Sequence, residues 1–329
     1  MQEALKDRIA HFKRATDGLK DEIAKVIVGQ RDIVDAVVTA MIAGGHVLLE
    51  GVPGLGKTKL VSTLSQALSL EFSRIQFTPD LMPSDITGTK VALQNESGHT
   101  HLDFQKGPIF ANVVLADEIN RATPRTQSAM LEAMQERSVT VGRTTHQLAD
   151  PFFVLATQNP LEMDGTYPLP EAQLDRFLFK LHMPFPTHDD LHAILDRTTG
   201  AQDPKVSVAL SQDEVMQLRH VAMDVPVARH VQDFAIRIIE ATHPDRSTAP
   251  ETTQRYIRYG ASPRGAQSLI IAAKVRAVLD GRFAVSSDDI KNIAKPSLRH
   301  RIIRNFEAEA EGVSTDIILE DILKSTQAE

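Results

Sequence analysis

The sequence predicts an α/β fold, a parallel sheet flanked by helices and carrying β-hairpin insertions, followed by a smaller all-helical domain. Three observations carry this prediction. Short apolar runs, Val47-Leu48-Leu49, Val113-Val114-Leu115-Ala116, Phe152 to Ala156 and Phe177 to Leu181, alternate with segments of helical spacing, as buried parallel strands do. The first of these runs leads directly into a glycine-rich turn and an amphipathic helix. Beyond Pro184-Phe185-Pro186 the strand-like runs stop and capped helices take over. A length of 329 residues fits two domains, and the boundary is placed so that 1–186 form the core and 187–329 the helical part.

Each element has its own reason. Residues 1–28 read as a polar helix with Leu5, Ile9, Phe12, Leu19 and Ile23 on its apolar stripe, interrupted at Gly29-Gln30 before a second helix from Arg31 to Ala43. After the glycine-rich turn, Leu60, Val61, Leu64, Ala67 and Leu68 share one helical face. Residues 79–108 are rich in Pro and Gly with strand-like pieces between them, which predicts an inserted β-hairpin with its tip near Asn95 to Gly98. Thr123-Pro124 supplies an N-cap and N1 pair for a helix burying Ala129, Met130, Ala133 and Met134. Ser138 to Gln147 alternates around Gly142 and fits a second hairpin. In the helical part, Asp189–Arg197 and His230–Thr242 are helical segments. Ser211 with Glu214 forms a capping box, Ser262-Pro263 opens a helix to about Leu279, and Ser286 with Asp289 caps another.

Composition excludes several classes. Without Cys there is no disulfide, thiolate zinc site or thiol nucleophile. The charged N-terminus is no signal peptide, and Ala36 to Leu49 is too short and too broken to span a bilayer. A reducing, cytoplasmic setting is expected. The His residues show no ligand trio at metal spacing. The net charge of −7 argues mildly against nucleic acid, but seven acids against one base in residues 305–329 account for most of it. Just before them, Lys295, Arg299, Arg301 and Arg304 form a basic cluster.

Gly51-Val52-Pro53-Gly54-Leu55-Gly56-Lys57-Thr58 satisfies the phosphate-loop pattern G-x-x-x-x-G-K-[ST] in the required context, strand before and helix after. Glycines let backbone N–H groups converge on an anion, and the helix N-terminus adds its dipole. Lys57 is placed to reach the β and γ phosphates, Thr58 to hold Mg²⁺, and Lys59 completes the binding segment. At the end of the second strand, Asp117 is expected to hold Mg²⁺ through water and Glu118 to orient and polarise the attacking water. Asn159, ending the third strand in Val154-Leu155-Ala156-Thr157-Gln158-Asn159-Pro160, can hold that water against the γ phosphate. Arg264 lies in the first turn of a helix, a poor place for a cation on dipole grounds, which points to an anionic partner.

These motifs resemble the MoxR family of AAA+ ATPases. The match runs through GVPGLGKT (51–58), VVLADEINRATPRTQSAMLEAMQERSVTVG (113–142), FFVLATQNPLEMDGTYPLPEAQLDRF (152–177) and GASPRG (260–265), and spans about residues 25–300. The resemblance implies an AAA+ core with a hairpin inserted in helix 2, matching 79–108, a second hairpin before sensor 1, matching 138–148, and a helical lid. It also implies that Asn159 is sensor 1, that Arg176 is an arginine finger acting on the neighbouring subunit's nucleotide, that Arg264 is a sensor 2 residue contacting the γ phosphate from the lid, and that Val28, Gly29 and Gln30 line the adenine pocket. ATP or ADP with Mg²⁺ are the implied cofactors. The implied assembly is a homo-oligomeric ring, usually a hexamer, that remodels or activates a protein client, often one with a von Willebrand factor A domain, sometimes for metal-cofactor insertion. A magnesium-chelatase motor subunit and a DNA-stimulated, helicase-like motor are the competing readings. The second is disfavoured by hairpin tips poor in Lys and Arg (Leu93 to His99 holds none and Val141 to Thr144 one) and by the absence of a zinc site or winged-helix extension.

Overall fold

A computed structural model of the chain describes residues 2–94, 100–160, 165–200 and 204–327. Helices α1 (Gln2–Val26) and α2 (Arg31–Ile42) lead to strand β1 (Val47–Glu50) and helix α3 (Lys57–Ala67). Strand β2 (Phe72–Gln76) and the short α4 (Pro83–Thr87) precede the hairpin of β3 (Gly88–Gln94) and β4 (Thr100–Lys106). Then come β5 (Val113–Asp117), α5 (Pro124–Glu136), a second hairpin of β6 (Ser138–Val141) and β7 (Thr144–Gln147), β8 (Phe153–Gln158), α6 (Glu171–Leu174) and β9 (Phe179–His182). The tip expected at Asn95 to Gly98 lies outside the described residues.

β1, β2, β5, β8 and β9 form one parallel sheet in the order β2-β5-β8-β1-β9. Side chains alternate across it. Leu49, Val113, Leu115, Phe153 and Leu155 pack into a cluster with α1, α2 and α3, whereas Leu48, Val114, Ala116, Val154 and Ala156 pack against Met130, Leu131 and Met134 of α5. Burial on both faces explains why these strands read as unbroken apolar runs. Buried His46 ties the layers together. Its Nδ1 accepts from Val154 N–H (3.0 Å) and its Nε2 lies 3.1 Å from the Met134 carbonyl, which fixes a neutral ring with the proton on Nε2.

The remaining chain is helical: α7 (His188–Thr198), α8 (Gln212–Met223), α9 (Arg229–Ala241), α10 (Glu251–Tyr256), α11 (Pro263–Leu279), α12 (Ser287–Leu298), α13 (Phe306–Ala310) and α14 (Thr315–Ser325). The capping boxes at Ser211 and Ser286 form as expected, each Ser oxygen accepting from the N3 amide. Two short strands, β10 (Ile257–Tyr259) and β11 (Ile303–Arg304), pair antiparallel inside this region, where no strand was expected. They are too short to leave an apolar run. β2 was also unexpected, because Phe-Ser-Arg-Ile-Gln buries only Ile75.

The acidic carboxyl-terminal segment is folded through α13 and α14, and four of its acids meet bases. Glu307 and Glu311 bind Arg255 (both 2.6 Å), Asp316 binds Arg299 (2.9 Å) and Glu320 binds Lys295 (3.2 Å). On the core side, buried Arg219 of α8 donates to the Met41 and Ile42 carbonyls (3.1 Å each) and pairs with Asp150. It thereby caps the exposed carbonyls of α2, where a cation also suits the helix dipole.

Candidate functional site

The loop from Gly51 to Thr58 joins the carboxyl end of β1 to the first turn of α3. Gly54 and Gly56 adopt φ of 85° and 82°, a region that glycine enters without strain. These turns keep the loop open and turn it into the start of α3. Lys57 arches back over the loop, its Nζ donating to the Gly51 carbonyl at 2.6 Å. Partial burial lowers the Lys57 ammonium below its usual pKa, and the carboxylates of Asp117 and Glu118 oppose that shift. Thr58 and Lys59 follow in the first turn.

Strand order brings three functional ends together. β8 lies between β1 and β5, so the loop, Asn159 and the Asp117-Glu118 pair occupy adjacent carboxyl ends of the sheet, where open α/β sheets bind ligands. Asp117 is held on both oxygens: Oδ1 accepts from the Thr157 hydroxyl (2.6 Å) and Oδ2 from Arg74 (2.6 Å). Glu118 sits in the left-handed region at φ 56°, and the Thr157 hydroxyl accepts its N–H at 2.8 Å. Its carboxylate receives Gln76 Nε2 (2.9 Å) and Arg121 Nη1 (3.1 Å). Asn159 is buried at 8% exposure. Thr157, Gln76, Arg74 and Arg121 escaped the sequence reading. Thr157 alone left a signal, a polar residue that breaks the apolar run Phe153 to Ala156 two positions before Asn159.

A cleft runs from the loop toward the α1–α2 junction. One part, of about 360 Å³, is lined by Gly51, Val52, Leu55 and Pro160 together with His182 and Phe185. The next, of about 490 Å³, shares His182 and Phe185 and reaches Val28, Gly29 and Gln30. Gln30 Nε2 approaches the Leu55 carbonyl at 3.5 Å. Gly29, at φ 63°, lies so close to Asp190 that a Cβ would stand 2.8 Å from its carboxylate. His182 and Phe185 form the shared wall, with the loop of residues 51–58 beside one part and the α1–α2 junction beside the other.

Residues 46–179 match the ATPase family associated with various cellular activities (AAA), and residues 250–322 match the AAA lid domain. The chain is 40% identical over 304 residues to Chaperone MoxR1 of Mycobacterium tuberculosis, covering 92% of this chain and 80% of that protein. The chain belongs to the MoxR family of AAA ATPases. It is also 30% identical to Protein MoxR of Paracoccus denitrificans, over 92% of this chain and 91% of that one. The crystal structure of an inferred ATPase from Cytophaga hutchinsonii superposes with a TM-score of 0.93 at 41% identity, covering 100% of this chain and 99% of that one. The activity of this MoxR protein is accordingly ATP hydrolysis.

Arg176 and Arg264 stand elsewhere in the MoxR fold. Arg176 precedes β9 and donates to the Leu131 carbonyl (2.8 Å) near the carboxyl-terminal half of α5. Arg264, in the first turn of α11, lies 3.7 Å from Asp175. Both line a cleft of about 250 Å³ with Gly45 and Leu178, the residues that lead into β1 and β9. That is the amino end of the sheet. Four-residue strands span about 13 Å at 3.3 Å per residue, so neither guanidinium meets the loop of its own chain. Arg264 therefore stands in the lid at the opposite end of the sheet from the loop of residues 51–58.

Proposed function

We propose that this MoxR ATPase works as a homo-oligomeric ring, a hexamer by family resemblance, in which Arg176 and Arg264 of one subunit serve the nucleotide of the next. The reading rests on one observation: two arginines gather at the amino end of the sheet while the phosphate loop occupies the carboxyl end. ATP binds along the loop, with Val52 to Lys59 on the phosphates and Val28, Gly29 and Gln30 beside the base. Thr58 and Asp117 supply oxygen donors of the kind Mg²⁺ takes, and with both Asp117 oxygens already hydrogen-bonded, contact through a water suits an ion that retains its own waters. The ion would offset charge on the phosphates. Lys57 faces the β and γ oxygens, Asn159 holds the attacking water and Glu118 polarises it. The neighbour's arginines stabilise charge on the transferred phosphoryl group.

The core of 1–186 and the lid of 187–329 shift against each other over the cycle, and the two hairpins carry that motion to a protein client. A von Willebrand factor A domain partner, with metal-cofactor insertion as one outcome, follows from the family resemblance, and so does a cytoplasmic setting with ready ATP. Among the described residues no helix is long and apolar enough to cross a membrane. Nucleic acid is not the partner on this reading.

The test is turnover as a function of protein concentration. Specific activity should rise with assembly, Lys57→Ala should abolish it, and Arg176→Ala should lower kcat by about 10³–10⁵-fold with ATP still bound. Turnover that is independent of assembly would refute the shared site. Stimulation by DNA in place of a von Willebrand factor A domain protein would refute the client class.

A further inference from the structure

Three positions of the lid converge on the residue beside the proposed finger. Asp175 accepts from Arg301 Nε at 2.8 Å and from the Ser262 hydroxyl at 3.2 Å, with Arg264 at 3.7 Å. Arg301, just past α12, has a side chain only 2% exposed. Its remaining N–H groups are spent on backbone carbonyls: Nη2 reaches Asp175 (3.2 Å) and Phe177 (2.8 Å), while Nη1 reaches Leu178 (3.2 Å) and Ser297. His300 adds its Nε2 to the Phe177 carbonyl at 3.0 Å, and burial keeps that imidazole neutral, well below its usual pKa. The carbonyls on both sides of Arg176 are thus held by one buried guanidinium.

We propose that Arg301 is a positioning residue for Arg176, through which the lid of one subunit sets the phosphoryl-transfer geometry at its neighbour's site. The inference rests on the reading of Arg176 as a finger acting between subunits. A planar fork with five donors can bind a carboxylate and several carbonyls at once, which the compact ammonium of lysine cannot. With the peptide groups at 175 and 177 fixed, the backbone of Arg176 has little freedom. Arg176 also donates to the Leu131 carbonyl of α5, so a shift of α12 would act on a backbone held between lid and core. Arg301 itself points into its own chain and touches no phosphate.

The test uses the full-length chain with Arg301→Lys, which retains the buried charge and its pairing with Asp175. The expected result is a fall in kcat of about 10²-fold, the cost of misplacing a reacting group by about 1 Å, with KM for ATP unchanged. Mixing with Glu118→Gln subunits then locates the defect. Those subunits have a dead site and an intact finger, so they should restore turnover at the Arg301→Lys sites that they serve. The same mixing with Arg176→Ala runs in parallel. Recovery for both supports the proposal. Recovery for Arg176→Ala alone shows that Arg301 acts within its own subunit and overturns the proposal, while the finger reading stands. Recovery for neither overturns both. Wild-type kcat in Arg301→Lys overturns the proposal directly. Should Arg301→Lys not fold, Asp175→Asn weakens the same anchor from the other side and takes its place in the mixing, with the same outcomes.

Discussion

Replacing Thr157 by Val removes one hydroxyl and leaves the shape of the side chain intact. Thr157 is fully buried, and because valine has nearly the same volume no cavity opens. Two hydrogen bonds disappear together, the donation to Asp117 Oδ1 at 2.6 Å and the acceptance from Glu118 N–H at 2.8 Å. A bond to a charged acceptor contributes about 1.5–3 kcal/mol, and an orphaned buried N–H costs about 1–3 kcal/mol. Water reaches part of the Asp117 and Glu118 side chains, so the combined loss should fall near 2–4 kcal/mol. At roughly 2–4 °C per kcal/mol, that lowers the melting temperature by about 5–15 °C. The kinetic effect should be separate. Glu118 holds a left-handed backbone that costs a non-glycine residue about 1–3 kcal/mol, and the Thr157 hydroxyl is what accepts its N–H. Freed from it, the carboxylate should lose its aim, and kcat should fall about 10²-fold while ATP still binds. Thr157→Ser, which retains the hydroxyl, should preserve turnover. A Val variant with wild-type melting and wild-type turnover would show that the hydroxyl does not brace these acids.

Other consequences are as direct. Burial lowers the pKa of His46 to about 4, so the unfolded chain takes up its proton near 6.5 and the folded one does not. Stability should be full above pH 6.5 and should fall, by about 3 kcal/mol from this residue, as pH drops from 6.5 to 4; urea unfolding at several pH values measures it, and His46→Gln should flatten the slope. Lys57 has a lowered pKa while it faces no phosphate, and a phosphate raises it, so ATP binding at alkaline pH should take up a proton. Calorimetry in buffers of different ionisation enthalpy reads that uptake, which should vanish in Lys57→Met. Gly29→Ala forces a left-handed alanine beside the Asp190 carboxylate, and should cost about 1–2 kcal/mol from the backbone alone, visible in thermal melting.

The core of the candidate site was legible because its pattern is local. A phosphate loop needs its glycines and lysine in a fixed order, and an apolar strand ending in Asp-Glu announces itself. The braces were not legible. Gln76 and Arg74 belong to β2, whose single buried residue left no periodic signal, and they meet Glu118 and Asp117 only through sheet pairing across 40 or so positions. The basic cluster and the acidic segment were both visible as charge, yet which base meets which acid depended on how α13 and α14 fold back. Arg299 turns to Asp316, whereas Arg301, two residues on, turns inward to Asp175. The side of the sheet on which the lid sets Arg264 is likewise a tertiary fact, fixed by contacts such as Arg301 with Asp175 that no spacing encodes.

The separation of loop from arginines by the depth of the sheet has a consequence for symmetry. If Arg176 and Arg264 serve a neighbouring copy, as proposed, a two-fold pair would have to run antiparallel, each copy's arginines meeting the other's loop across one self-complementary face. In the proposed ring the contact is head-to-tail, uses two different surfaces of every copy and so has a direction: each subunit would complete one neighbour and be completed by the other, and the series would end only where the rotation between copies closes on itself. An angle that closes gives as many finished sites as subunits, whereas one that does not gives an open helix whose last loop is always left unserved.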